Sequence, residues 1–381
     1  MSRSIRILLV LMGACASTVL ASAQAASSPT GVSNTAPGIS SPVAYIYVAN
    51  SPSSGRNQIK GYAAAPNGAL ATIPGSPFSS RVSYIALNGG WLFGTDGVNI
   101  DSFSIASNGS LSLVDTLEVE SQGGLVNLFL DHTGTSLYTD YYTTNNEYLA
   151  YGIDNSTGKL TYINNVMGGP SIGYVVSFIG NNEFAYGSSC YHFTPEIYGL
   201  QRASNGAITS LASNPAFPAT QDPGFYCPWS AAADPTNNVA VGMQPLTSDW
   251  GVAGPYQLAT YTADSSGNLT TSSTYANMPS VAVGNINDYW MSPSGNLLAV
   301  SGDSGLQVFH FNGSNPITGY TGLLVTDYVD QVFWDNSNHL YALGRTAGKL
   351  WVFTVTPTGV KQAPGSPHSI VGPVDMIVLP K

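Results

Sequence analysis

Three carboxylates, Asp288, Asp330 and Asp375, recur at matching places near the end of the chain, with Asp330 one residue out of register. Each opens a short apolar run of the kind that makes a strand. Carboxylates brought to one small mouth raise one another's pKa, which supplies a general acid and a general base. The same groups could hold a hard cation such as calcium, with carbonyl and water oxygens completing its shell. A third reading is that they line a wet channel and do no chemistry. Asp288 and Asp375 are the catalytic candidates. Tyr84, Asn127, Ser230, Asp330 and Gln331 fall at the same places in other segments and are candidate binding residues, joined by Trp229 and Tyr226.

Other chemistries are excluded by what is missing. There is no Gly-x-Ser-x-Gly elbow, no phosphate-cradling Gly-Lys loop and no His-Glu-x-x-His run. A sugar phosphate needs cationic partners, yet Arg81, Arg202 and Arg345 are the only obvious ones and fall in separate segments. With 11 Lys and Arg against 21 Asp and Glu, a net charge of −10 gives no electrostatic reason to bind nucleic acid or anionic lipid. Asp131, Asp234, Ser292 and Asp335 open tight turns, where such side chains bond to backbone two residues on. They read as structural, and His132 reads as an exposed turn residue.

These residues must be positioned by a repeat. Tyr45-Ile46-Tyr47-Val48-Ala49-Asn50, Ile59-Lys60-Gly61-Tyr62 and Pro66-Asn67-Gly68-Ala69-Leu70 state it most clearly. The turn and its apolar residue return at Leu111, Leu160, Ile208, Leu269, Ile317 and Val360, in steps of 41, 49, 48, 61, 48 and 43 residues. A period of that length with several strands per unit marks a propeller blade, and seven markers predict seven blades. Each blade should hold four antiparallel strands, with runs such as Leu137-Tyr138-Thr139 second and Ile100-Asp101-Ser102-Phe103-Ser104-Ile105 third. The first repeat lacks an inner strand. Gly372-Pro373-Val374-Asp375-Met376-Ile377-Val378-Leu379 supplies it, so the C-terminal strand should pair beside Tyr45 to Asn50 and close the ring.

The start of the chain reads as an export signal: Arg3 and Arg6, an apolar stretch from Ile7 to Leu20, then Ala21-Ser22-Ala23. Residues 1–23 are thus a signal peptide, 24–42 a flexible leader and 43–381 the propeller. Cleavage takes the net charge from −10 to −12 and leaves no membrane span. Cys15 follows Met12-Gly13-Ala14, a weak lipoprotein box. The expected location is periplasmic or extracellular. There Cys190 and Cys227 could form a disulfide from the loop of one repeat to the inner strand of the next, or remain separate thiols. The long inserts of repeats four and five carry His192, Asp222, Tyr226, Trp229 and Trp250, a surface for an extracellular protein or a glycan.

The run Tyr47-Val48-Ala49-Asn50, the Thr157-Gly158-Lys159-Leu160 type of turn and the phrase from Cys227 to Pro235 together resemble the seven-bladed lactonase-type propellers with YVTN-type repeats. That family includes 6-phosphogluconolactonase and carboxymuconate cyclase. The paired Pro-Gly-Ser-Pro phrases at Pro74 and Pro364 fit it too, and the likeness covers nearly all of residues 43–381. The resemblance implies hydrolysis of a lactone or related sugar acid at the central channel. It also implies Arg and His at the channel mouth, from Gly-Pro-Arg-His-like starts of inner strands. This chain departs there. Ser83-Tyr84, Val126-Asn127, Val175-Val176, Trp229-Ser230, Asn287-Asp288, Asp330-Gln331 and Val374-Asp375 hold neither Arg nor His.

Overall fold

Apolar and polar residues that alternate between turns of Gly, Asn and Asp favour one regular structure, the short antiparallel strand. A computed structural model describes residues 39, 41–53, 55–119, 124–142, 147–167, 175–191, 194–211, 215–220 and 224–381. Among these residues there is no helix, and the strands form seven antiparallel sheets, the blades of a β-propeller. The signal peptide, Cys15, most of the leader, His192 and Asp222 lie outside the described residues.

The inner strands are Pro373–Pro380 in blade one, Tyr84–Asn88 in blade two and Gly124–Leu130 in blade three. Blades four to seven contribute Ser177–Phe178, Gly224–Ala233, Ile286–Met291 and Gln331–Trp334. Blade one is split as expected. Ala44–Asn50 pairs with Gln58–Ala64 on one side and with the C-terminal strand on the other, in register from Ala44 opposite Pro380 to Ala49 opposite Asp375. Blades one and seven each add a two-residue strand after their Pro-Gly-Ser-Pro turn. In both turns the Ser hydroxyl accepts a third-strand N–H at 2.9 Å, Gly61 to Ser76 and Val352 to Ser366.

A single sheet cannot bury both faces, so each blade needs its neighbours. The apolar residues accordingly form seven clusters, each shared by two adjacent blades. The repeated Tyr and the repeated Gly turn meet at these seams. Tyr47, Tyr138 and Tyr186 on second strands donate their hydroxyls to the carbonyls of Gly109, Gly206 and Gly267 in the turn of the next blade, at 2.7, 3.0 and 2.7 Å. Gly109 takes φ 84°, and a Cβ there would lie 2.9 Å from the ring of Tyr45. The position therefore excludes any other residue type.

The turn carboxylates are structural. Asp234 accepts the N–H groups of Thr236 and Asn238 at 2.9 Å each, and Asp335 those of Ser337 and His339 at 2.8 and 2.9 Å. Cys190 and Cys227 are joined, with their Cα atoms 5.3 Å apart. Cys190 lies on the second strand of blade four, Phe184–Tyr191, rather than in a loop. The bond therefore ties strand to strand across the seam between blades four and five.

Candidate functional site

Inner strands run side by side around the ring, so their first residues share one end of the central channel. A cavity of about 460 Å³ occupies it. Tyr84, Asn127, Ser230, Asp288, Asp330, Gln331 and Asp375 all line that cavity, which brings together seven of the nine proposed site residues. Tyr226 and Trp229 do not join them. Tyr226 is 1% exposed and gives its hydroxyl to Gln257 Oε1 at 2.7 Å. The ten-residue inner strand of blade five turns its ring into the seam with blade four rather than onto a loop surface. Trp229 packs against the seam with blade six, and its carbonyl accepts the Tyr289 hydroxyl at 2.6 Å.

Asp288 and Asp375 flank the inner strand of blade seven, two blades apart. Asp288 Oδ2 accepts the Val332 N–H at 3.0 Å, and the half-buried carboxyl faces the cavity. Burial pushes it up to about 7, and the Asp375 charge adds to the rise. The N–H groups of Val332 and Tyr289 and the charge of Arg345 oppose this, but do not overcome it. Asp375 is 6% exposed and more fully engaged. Its Oδ2 accepts the Ile85 N–H at 2.7 Å and its Oδ1 accepts from Gln331 Nε2, linking blades seven, one and two. Burial still pushes it up to about 6. The side chain of Gln331 is fixed in turn, since its Oε1 accepts the Met376 N–H at 3.0 Å. Across the channel, Asn127 donates its N–H and Nδ2 to Asp140, a second-strand carboxylate that burial pushes up to about 6.

The sequence placed no cation at this mouth, and the structure supplies one. Arg345 reaches the cavity from the turn between the second and third strands of blade seven, 339–344 and 349–356. Its backbone N–H donates to Asp330 Oδ2 at 2.6 Å, and its Nε stands 3.9 Å from Asp330 Oδ1. Among the described residues, nothing accepts a hydrogen bond from that buried Nε. Two of the other arginines are committed elsewhere, Arg81 to Asp101 at 2.9 Å and Arg202 to Asp131 at 2.7 Å. His132 does sit on an exposed turn, as expected, but it also borders the far end of the same cavity. Among the described residues, no group of three or more His, Cys, Asp or Glu is arranged to hold a metal ion, so geometry adds no support to the calcium reading.

A group near neutrality that faces a cavity can take a proton from water, and an adjacent guanidinium can stabilise the oxyanion that forms. No family model matches the chain. No curated protein matches it in sequence either. Solved structures do match in shape. One, described as "a putative 6-phosphogluconolactonase" from Bacteroides fragilis, has a TM-score of 0.66 at 13% identity, over 88% of this chain and 98% of that one. The protein described in the same words from Bacteroides uniformis has a TM-score of 0.63 at 12% identity, over 88% and 99%. The chain has the fold of a lactonase-type propeller. That fold is shared more widely. Sqt1 from Chaetomium thermophilum, bound to the N-terminus of ribosomal protein L10, matches with a TM-score of 0.53 at 13% identity over 84% of each chain.

Proposed function

We propose that this chain is an exported hydrolase that opens an uncharged lactone in its central channel. One observation carries the reading: Asp288, raised to about 7 by burial, faces the same cavity as the Arg345 guanidinium. In the reaction, water gives a proton to Asp288 as its oxygen bonds to the lactone carbonyl carbon. Arg345 stabilises the negative charge that forms on the carbonyl oxygen. Collapse of that intermediate breaks the bond to the ring oxygen, which takes the proton back from Asp288 and becomes a hydroxyl. Asp375 and Asp330 surround this path with negative charge, and among the described residues Arg345 is the one arginine lining the cavity. That balance favours a neutral lactone over a phosphorylated one. The disulfide supports an oxidising compartment.

The test is hydrolysis of D-glucono-δ-lactone above its spontaneous rate. Replacing the base, Asp288→Asn, should lower kcat by about 10²–10⁴-fold, and Arg345→Gln should lower it as well. An unchanged rate in the double variant removes the proposal. A second reading, a non-catalytic binding module, rests on blade five, whose two longest strands run ten residues each and raise Val252, 72% exposed, above the face. Loss of a captured extracellular protein or glycan on trimming 243–253, with no lactone turnover in wild type, would favour it.

A further inference from the structure

The channel changes character one layer below its polar mouth. Alternate residues of a strand share a face, so the side chains beneath Asp288, Gln331, Asn127 and Asp375 are Trp290, Phe333, Phe129 and Ile377. All four line the cavity. Three of them differ from the fourth. Phe333 and Phe129 are 8% and 7% exposed, and Ile377 is packed against two seams, whereas Trp290 is 41% exposed. Phe333 stands behind the indole with ring centroids 4.7 Å apart, and the Trp290 carbonyl accepts the Trp334 indole N–H at 3.0 Å. The ring is therefore supported on one side and its strand is held in place. Trp290 also borders a neighbouring cavity of about 380 Å³, so there is space beside it for a ligand.

We infer that Trp290 is a platform on which the ring of a polyhydroxylated lactone lies, a reading that rests on the hydrolase proposed above. The C–H face of such a ring is apolar and covers an aromatic surface, while its hydroxyls need polar partners. The layer above, with Asn127 and Asp288, and Asp330 beside it at the mouth offer them. Asp288 and Trp290 belong to one six-residue strand, Ile286–Met291, so the base and the platform are fixed to one rigid element. Trp290 thus selects substrate: a saturated hydroxylated ring is held against it, and an open-chain ester is not.

Isothermal titration with D-glucono-δ-lactam, the unreactive amide counterpart of the lactone, tests the platform without turnover. Wild type should bind it, Trp290→Ala should bind at least about tenfold more weakly, and Trp290→Phe should stay within about threefold. In turnover, Trp290→Ala should raise KM for the lactone while kcat changes little, and should leave the rate on methyl acetate unchanged. If wild type binds no lactam, or if Trp290→Ala binds it as wild type does, the platform is wrong. Lactam binding that depends on Trp290, without any lactone hydrolysis, would keep the platform and remove the hydrolase. Lactone hydrolysis with KM and lactam affinity indifferent to Trp290→Ala would do the reverse.

Discussion

The turns at the rim and the mouth of the channel hold the same side chain at similar burial, with pKa shifts of opposite direction. Asp131 on the rim is 4% exposed and Asp375 in the channel 6%. Burial alone would push both up. At Asp131, hydrogen bonds from Thr133, Asn182 and Ser136 and the charge of Arg202 outweigh burial, and hold the carboxyl below its usual 3.8. At Asp375 the donors are fewer and neutral, Arg345 acts only from a distance, and the group rises to about 6. Asp288, with Val332 as its close donor, rises to about 7. Burial sets the direction of the push, and the number and charge of donors decide whether it succeeds. A well-bonded carboxylate is a structural part; a poorly bonded one is left ready to exchange a proton.

The largest effect should come from deleting residues 373–381, which removes Asp375 together with the closing strand. Both edges of the ring are then exposed, and thermal unfolding should lose its cooperative transition. Full-length Asp375→Asn should keep that transition, which separates the strand from its carboxylate; an intact transition in the truncated chain would overturn closure.

A smaller effect distinguishes rim from channel. Asp131→Ala leaves the Arg202 side chain, 8% exposed, without its carboxylate partner and should cost about 3–5 kcal/mol in urea denaturation at pH 7. Asp288→Asn should have the opposite sign at pH 8. Because the folded value of Asp288 is raised, the folded state holds its proton longer than the unfolded chain does. Wild-type stability therefore falls from about pH 4 to about pH 7 on account of this group, and the asparagine variant escapes that loss. For Asp131 the sign reverses: its contribution is full above the unfolded value and is lost as pH falls through its depressed folded value. Equal destabilisation by the two substitutions at pH 8 would erase the distinction.

The smallest effect belongs to the seams. Tyr47→Phe removes the bond to the Gly109 carbonyl and should cost about 1 kcal/mol, seen as a modest fall in Tm. A neutral result would mean that the apolar cluster alone holds blades one and two together.

The channel was legible in part. Asp288, Asp330 and Asp375 could be placed at its mouth because each stands at, or within one residue of, the same point of a repeated strand pattern. Arg345 escaped that logic, since it enters from the turn after Gly344, in a segment where the repeat carries no fixed residue type. Trp290 left a usable signal, two residues beyond Asp288 and hence on the same face. Tyr226 was misplaced because Gly and Pro around it suggest a loop, whereas the strand Gly224–Ala233 continues through them and buries the ring.

The sequence by itself determined the propeller, the number of blades and the C-terminal closure, because strand alternation, turn residues and the Tyr and Gly of each seam are local features written once per repeat. Only the tertiary structure decided which carboxylates are chemically labile. That property depends on donors and charges brought from elsewhere: the Val332 N–H, 44 residues from Asp288, and the Ile85 N–H, 290 residues from Asp375. It depends equally on a guanidinium from a turn and on the burial that the closed ring imposes. No local pattern encodes a balance between desolvation and donors that meet only when seven blades share an axis.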